Sequence, residues 1–233
     1  MVIRVHPEGV KLSSDVLVAG FHGIGATGYW TVKFLIQELK AKRSCFIDYE
    51  YAPAVASTVG GKISTPYEVY SARNMSLLKA EVSPVREKEN EFFRALAGWI
   101  MNSGVREVAL IGGLDESLRA DDSRYRVVMT SALLKNGGIP KEPVLEEERM
   151  IVGPVASLLN LFEIHEFPAF ALLAYSNTER VDPRASASAV EFLSRRYRFE
   201  ISTTPLIRGA EVIESETKVL QDREKSPSTS VYS

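Results

Sequence analysis

Cysteine is all but missing from this sequence: Cys45 stands alone among 233 residues. No disulfide can close within one copy of the chain, and a cysteine-built zinc cage is excluded with it. Histidine is scarce too, and His6, His22 and His165 lie far apart, with no spacing to one another or to carboxylates that would hold a metal. No apolar run approaches the ~20 residues that a membrane span needs. The stretch after Met1, residues 2–7, is too short and polar for a signal peptide. An excess of one charge is also lacking: 28 Lys and Arg against 30 Asp and Glu leave a formal net charge of -2. That balance gives no broad field for nucleic acid or an acidic membrane. The one basic cluster, Arg195, Arg196 and Arg198, is expected to end a helix, where cations complement the dipole. A soluble, cytoplasmic protein without a nucleic-acid or membrane partner is the expectation.

Apolar runs of strand length alternate with longer stretches at helical spacing, the pattern of an α/β domain with a mixed, largely parallel sheet flanked by helices. Residues 16–21 and 45–48 read as strands, the second holding Cys45 as a buried, inert thiol. Residues 27–42 read as a helix with Trp30, Phe34, Leu35 and Leu39 on its inner face. Gly60-Gly61 marks a hairpin, and 67–71 and 77–82 alternate like antiparallel strands, so 56–82 is a β insertion. Residues 86–102 return to helical spacing, capped by Gly104. A core strand over 105–111 is expected to stop at Gly112-Gly113. Beyond a polar loop at 115–123 come a short strand at 125–129, a helical stretch at 131–136, a helix at 154–164, a strand at 168–175 and a helix at 183–197 introduced by Asp182. An amphipathic segment follows, with Val212, Ile213, Val219 and Leu220 on one stripe. The organisation expected is one α/β domain over 1–208, an amphipathic helix over 209–225 and a flexible tail over 226–233.

Gly23-Ile24-Gly25-Ala26-Thr27-Gly28 follows a strand, opens a helix and has Asp48 twenty residues beyond, at the end of the next strand. In a dinucleotide-binding fold those glycines let a pyrophosphate approach the backbone, and the acid holds a ribose hydroxyl. A nucleotide-binding enzyme using Gly23, Gly25, Gly28 and Asp48 is therefore one reading. A tight strand-to-helix turn is the other, and it is preferred: the next region reads as hairpins rather than a further βα unit, and no hydride-transfer constellation such as Tyr-x-x-x-Lys follows. His22 stands at a strand end, where ligands of α/β folds bind. Ser157 lacks the Gly-x-Ser-x-Gly elbow. The acids Asp115, Glu116, Asp121 and Asp122 read as a solvated loop, and Glu146-Glu147-Glu148 as an exposed face. No catalytic acid/base pair, metal or cofactor emerges.

Four segments, in order, resemble the proteasome assembly chaperone family. The run from Leu17 through Gly20-Phe21-His22-Gly23-Ile24-Gly25 to Gly28-Tyr29 is similar to the family's opening signature. Val105 to Leu114, with Gly112-Gly113, resembles its core strand and glycine turn, and Gly153-Pro154-Val155 its late glycine-to-helix element. Ala171-Leu172-Leu173-Ala174-Tyr175 and then Asp182-Pro183-Arg184-Ala185 are similar to its closing strand and last helix start. Val181 stands where the family has a proline, and Tyr175-Ser176 replace its usual glutamate. The resemblance, spanning about residues 15–200, implies a fold similar to the purine nucleoside phosphorylase-like architecture with no established catalytic role. It further implies homo-oligomers or heterodimers that contact α-subunits of the proteasome core particle, several members doing so through a C-terminal hydrophobic-tyrosine-any tail; a homo-oligomer is the expectation for this chain. Val231, Tyr232 and Ser233 fit that tail. The polar stretch 224–230, with Pro227, suits a tether. An aliphatic anchor, a phenol and a terminal carboxylate each offer a partner a different contact.

Overall fold

Val16–Gly20 (β2) is buried at every position, as a strand must be when helices cover both faces of its sheet. The computed structural model describes residues 2–225, and Val231, Tyr232 and Ser233 lie outside them. Ten strands and six helices follow one another in the described part. The strands are β1 (Ile3–His6), β2, β3 (Lys42–Tyr49), β4 (Ser57–Val59), β5 (Lys62–Ser64), β6 (Tyr67–Ala72), β7 (Met75–Ala80), β8 (Glu107–Asp115), β9 (Tyr125–Met129) and β10 (Ala169–Ser176). The helices are α1 (Thr27–Glu38), α2 (Glu89–Asn102), α3 (Ser131–Lys135), α4 (Gly153–Ile164), α5 (Pro183–Tyr197) and α6 (Thr204–Lys225).

Eight strands form one mixed sheet in the order β1-β3-β6-β7-β2-β8-β10-β9. Its centre, β7-β2-β8-β10, is parallel. The β insertion supplies antiparallel pairings on one side, and β9 adds another beside β10. Two hydrophobic cores lie on opposite faces. Phe92, Phe93, Leu96 and Ile100 of α2 share one with Leu158 and Phe162 of α4. Val32, Phe34 and Leu35 of α1 share the other with Val190, Phe192 and Leu193 of α5. The chain leaves β2 through α1 on one face and returns from β7 through α2 on the other, passing over β2 to β8. A topological switch point therefore falls between β2 and β8, and crevices form at the carboxyl ends of strands beside such a point.

The observed elements differ from the sequence expectations in instructive places. β8 does not stop at Gly112-Gly113; both glycines stay in register with Leu173 and Ala174 of β10, and the strand continues to Asp115. A Cβ at Gly113 would overlap the backbone carbonyl of Ile24, so that glycine admits a neighbour rather than ending a strand. α1 closes at Glu38, where Lys40 turns left-handed (φ 49°) and the Ala41 amide donates to Ile36 O at 2.9 Å. This is a Schellman closure made without glycine. α6 begins at Thr204, with Pro205 in its first turn. Leu206 and Ala210 are buried, so the start of this helix is packed, whereas Val212 is exposed.

Candidate functional site

The glycine turn is built for close packing. Gly20 and Gly28 touch backbone to backbone, and a Cβ on either would overlap a main-chain carbonyl, that of Gly28 in one case and of Ile111 in the other. Gly25 is left-handed (φ 59°), and a Cβ there would overlap Ser176 Oγ. Gly23, by contrast, is extended (φ -173°) with open space around it. Three amides around the turn are engaged by the turn itself. Ala26 N donates to Gly23 O at 2.8 Å, Tyr29 N to Phe21 O at 3.2 Å, and Thr27 N to Ile24 O. Asp182 locks the turn from outside, its amide donating to Gly25 O at 3.0 Å while its carboxylate caps α5 through Arg184 N and Ala185 N. The structure thus brings Gly23, Gly25 and Gly28 together but leaves Asp48 elsewhere. β3 lies three strands from β2, a lateral distance of about 14 Å. There Asp48 sits opposite Arg4 on β1, 4.0 Å from His6 Nε2.

His22 stands at the carboxyl end of β2, on the rim of a cavity of about 330 Å³. Ile24, Leu114 and Leu173 supply apolar wall, and Met150 to Val155 close the far side at the start of α4. The imidazole stacks on Tyr29 (centroids 4.1 Å apart), and its Nε2 donates to the Glu81 carbonyl at 3.1 Å, which fixes the proton on that nitrogen.

Behind His22 runs a buried polar network that sequence reasoning missed. Tyr29 donates to Glu81 Oε1 at 2.7 Å and accepts from Lys33 Nζ at 3.0 Å. Lys79 Nζ bridges Glu81 Oε2 at 3.2 Å and Glu68 Oε2 at 3.0 Å, and also donates to Ser64 Oγ. Glu68, fully buried, further accepts from Arg43 at 2.9 Å, Tyr70 OH at 2.7 Å and the Thr65 amide at 2.9 Å. Burial pushes the Glu68 carboxyl toward its neutral form, yet donation from Tyr70, Thr65 and Lys79, together with the ammonium charge, holds it at about 2. Burial, followed by the Glu81 carboxylate, drives the Tyr29 phenol well up from its ordinary value. One signal in the sequence could have found this pair: Glu68 and Lys79 are the only charged residues on β6 and β7 and face each other across the hairpin.

The remaining sequence candidates are separate. Cys45 is buried in β3, and burial raises its thiol to about 11, as an inert thiol requires. Ser157 lies within α4, and His165 caps the end of that helix. Asp115 bonds the Ser117 amide in its own loop, whereas Asp121 and Glu146 clamp the buried Arg126 from two sides at 3.0 and 2.9 Å. Glu146 therefore leaves the exposed acidic face expected of its run. Among the described residues, no group of three His, Cys, Asp or Glu is placed to hold a metal, and no helix is long and apolar enough to cross a membrane.

The fold and its site define an α/β domain whose Gly20 and Gly28 weld α1 to the sheet. The chain belongs to the PAC2 family, whose model matches residues 17–221. It is 21% identical over 230 residues to an uncharacterised protein of Methanocaldococcus jannaschii, covering 94% of this chain and 90% of that one. Among solved structures it is similar to Pyrococcus furiosus PbaA, an archaeal homologue of proteasome-assembly chaperone (TM-score 0.78, 20% identity, 97% of this chain and 94% of that one). It is also similar to P. furiosus PbaB, an archaeal proteasome activator (TM-score 0.75, 18% identity, 94% of this chain and 99% of that one).

Proposed function

We propose that this chain is a proteasome-binding protein, an assembly chaperone or an ATP-independent activator, whose role is association rather than catalysis. The observation that carries this reading is membership of the PAC2 family across 17–221, joined to similarity with PbaA and PbaB over nearly the full chain. In this reading the terminal Val231-Tyr232-Ser233 docks into pockets between α-subunits of the core particle, with 226–233 as its tether. A tripeptide anchor binds weakly by itself, so several copies of the chain, joined as a homo-oligomer, engage one α-ring through several tails at once. The glycine turn is structural in this reading, since the Ala26, Thr27 and Tyr29 amides are spent internally and Asp48 is remote from it.

Co-sedimentation of the full chain with isolated α-rings and with complete core particles tests the proposal. Association with α-rings alone fits an assembly role, association with complete particles fits an activator, and association with neither contradicts both. Light scattering is expected to give a mass of several copies, and a monomer at micromolar concentration contradicts the multi-tail mode.

A further inference from the structure

A second surface, independent of the proteasome reading, lies beneath the β4–β5 hairpin. This hairpin turns through Gly60 and Gly61, both left-handed, and its strands pair only with each other. A two-stranded ribbon is marginal alone. Here its base is fixed to the domain: Ser64 donates to Glu68, and Arg43 donates to the Ile63 carbonyl at 2.8 Å. Side chains alternate along the ribbon, so Val59 and Lys62 share the face that carries Ser64 inward. Yet Val59 is 57% exposed, because beneath it lies a cleft of about 470 Å³ reaching across to Lys42, Arg43 and Tyr70. That volume is within the range of ligand sites. Ile63, which also borders the cleft, is 59% exposed.

The charge around this cleft is unbalanced. Arg43 is matched by Glu68, which Lys79 also holds. Lys42 and Lys62 line the cleft and, among the described residues, neither has an ion-pair partner. Two unmatched cations thus sit beside an unfilled apolar overhang in a chain whose net charge is negative. Two cations are few for a nucleic-acid backbone, whose binding draws on many, and the apolar rim has no use there. We propose that the cleft docks an acidic, extended segment of a protein partner. Its carboxylates pair with Lys42 and Lys62, and an apolar side chain between them enters beneath Val59 against Tyr70.

The test uses the full chain and a fluorescein-labelled hexapeptide of alternating glutamate and leucine, read by fluorescence polarisation at low salt. Saturable binding is expected, weakened about tenfold or more by Lys42→Glu combined with Lys62→Glu and about threefold by Val59→Ser. All three positions are exposed, and circular dichroism melts check that the variants remain folded. A peptide of alternating glutamate and serine is expected to bind at least about threefold more weakly. Failure to saturate, equal binding by the double charge variant, equal binding of the serine peptide, or tighter binding of a duplex oligonucleotide than of the peptide would each overturn the proposal.

Discussion

Gly20 and Gly23 stand three residues apart in the same signature and carry opposite physical demands. At Gly20 any Cβ collides with the Gly28 backbone, which cannot retreat without lifting α1 from the sheet. At Gly23 the backbone is extended and the surrounding space is open. Gly20→Ala is therefore expected to cost about 3 kcal/mol or more in urea unfolding, beyond ordinary overpacking because the clash is with main chain. Gly23→Ala is expected to cost less than about 1 kcal/mol. Equal costs would contradict the packing role of the turn. The buried carboxylate of Glu68 makes a pH prediction of definite sign. Its folded value, about 2, lies below the ordinary 4.5, so its contribution to stability is complete above 4.5 and is lost as pH falls toward 2. Urea unfolding across that window should show stability declining with acid, and Glu68→Gln should flatten the decline. An unchanged slope in the variant would remove Glu68 as a cause.

At the scale of elements, Asp182 links two structures, capping α5 while its amide holds the Gly25 carbonyl. Asp182→Ala should cost about 1–2 kcal/mol in urea unfolding, the loss of a helix cap. A cost near zero would show that Pro183 alone fixes the start of α5. Much of this level was legible in the sequence. The hairpin at Gly60-Gly61, the strand 125–129 and the helix 183–197 match β4–β5, β9 and α5, because turn glycines, β-branched runs and an Asp-Pro start are local signals. The end of α1 was less visible. Lys40 takes the left-handed closing position there, as Glu166 and Arg198 do after α4 and α5, and none announces itself as glycine would. Gly112-Gly113 misled in the opposite direction, since glycine demanded by a neighbouring backbone reads, in sequence, like glycine that ends a strand. Asp48 misled for a topological reason: it does end the next strand in sequence, but the β insertion places β6 and β7 between that strand and β2.

At the scale of the molecule, the crossing of α1 and α2 over opposite faces gives two cores and a switch-point cavity, while Gly20, Gly25 and Gly28 are spent on packing. Sequence order alone pointed to the family, because its segments occupy distinct structural positions: β2 with α1, β8, the start of α4, and β10 with α5. The proposed docking makes association with the proteasome depend on Val231, Tyr232 and Ser233. Its most direct measurement is binding of immobilised core particle by the full chain, by the chain lacking 231–233 and by Tyr232→Ala, each first shown to have the same melting temperature. Binding by the full chain and its loss in both variants is expected, and undiminished binding by the shortened chain would overturn the proposed docking.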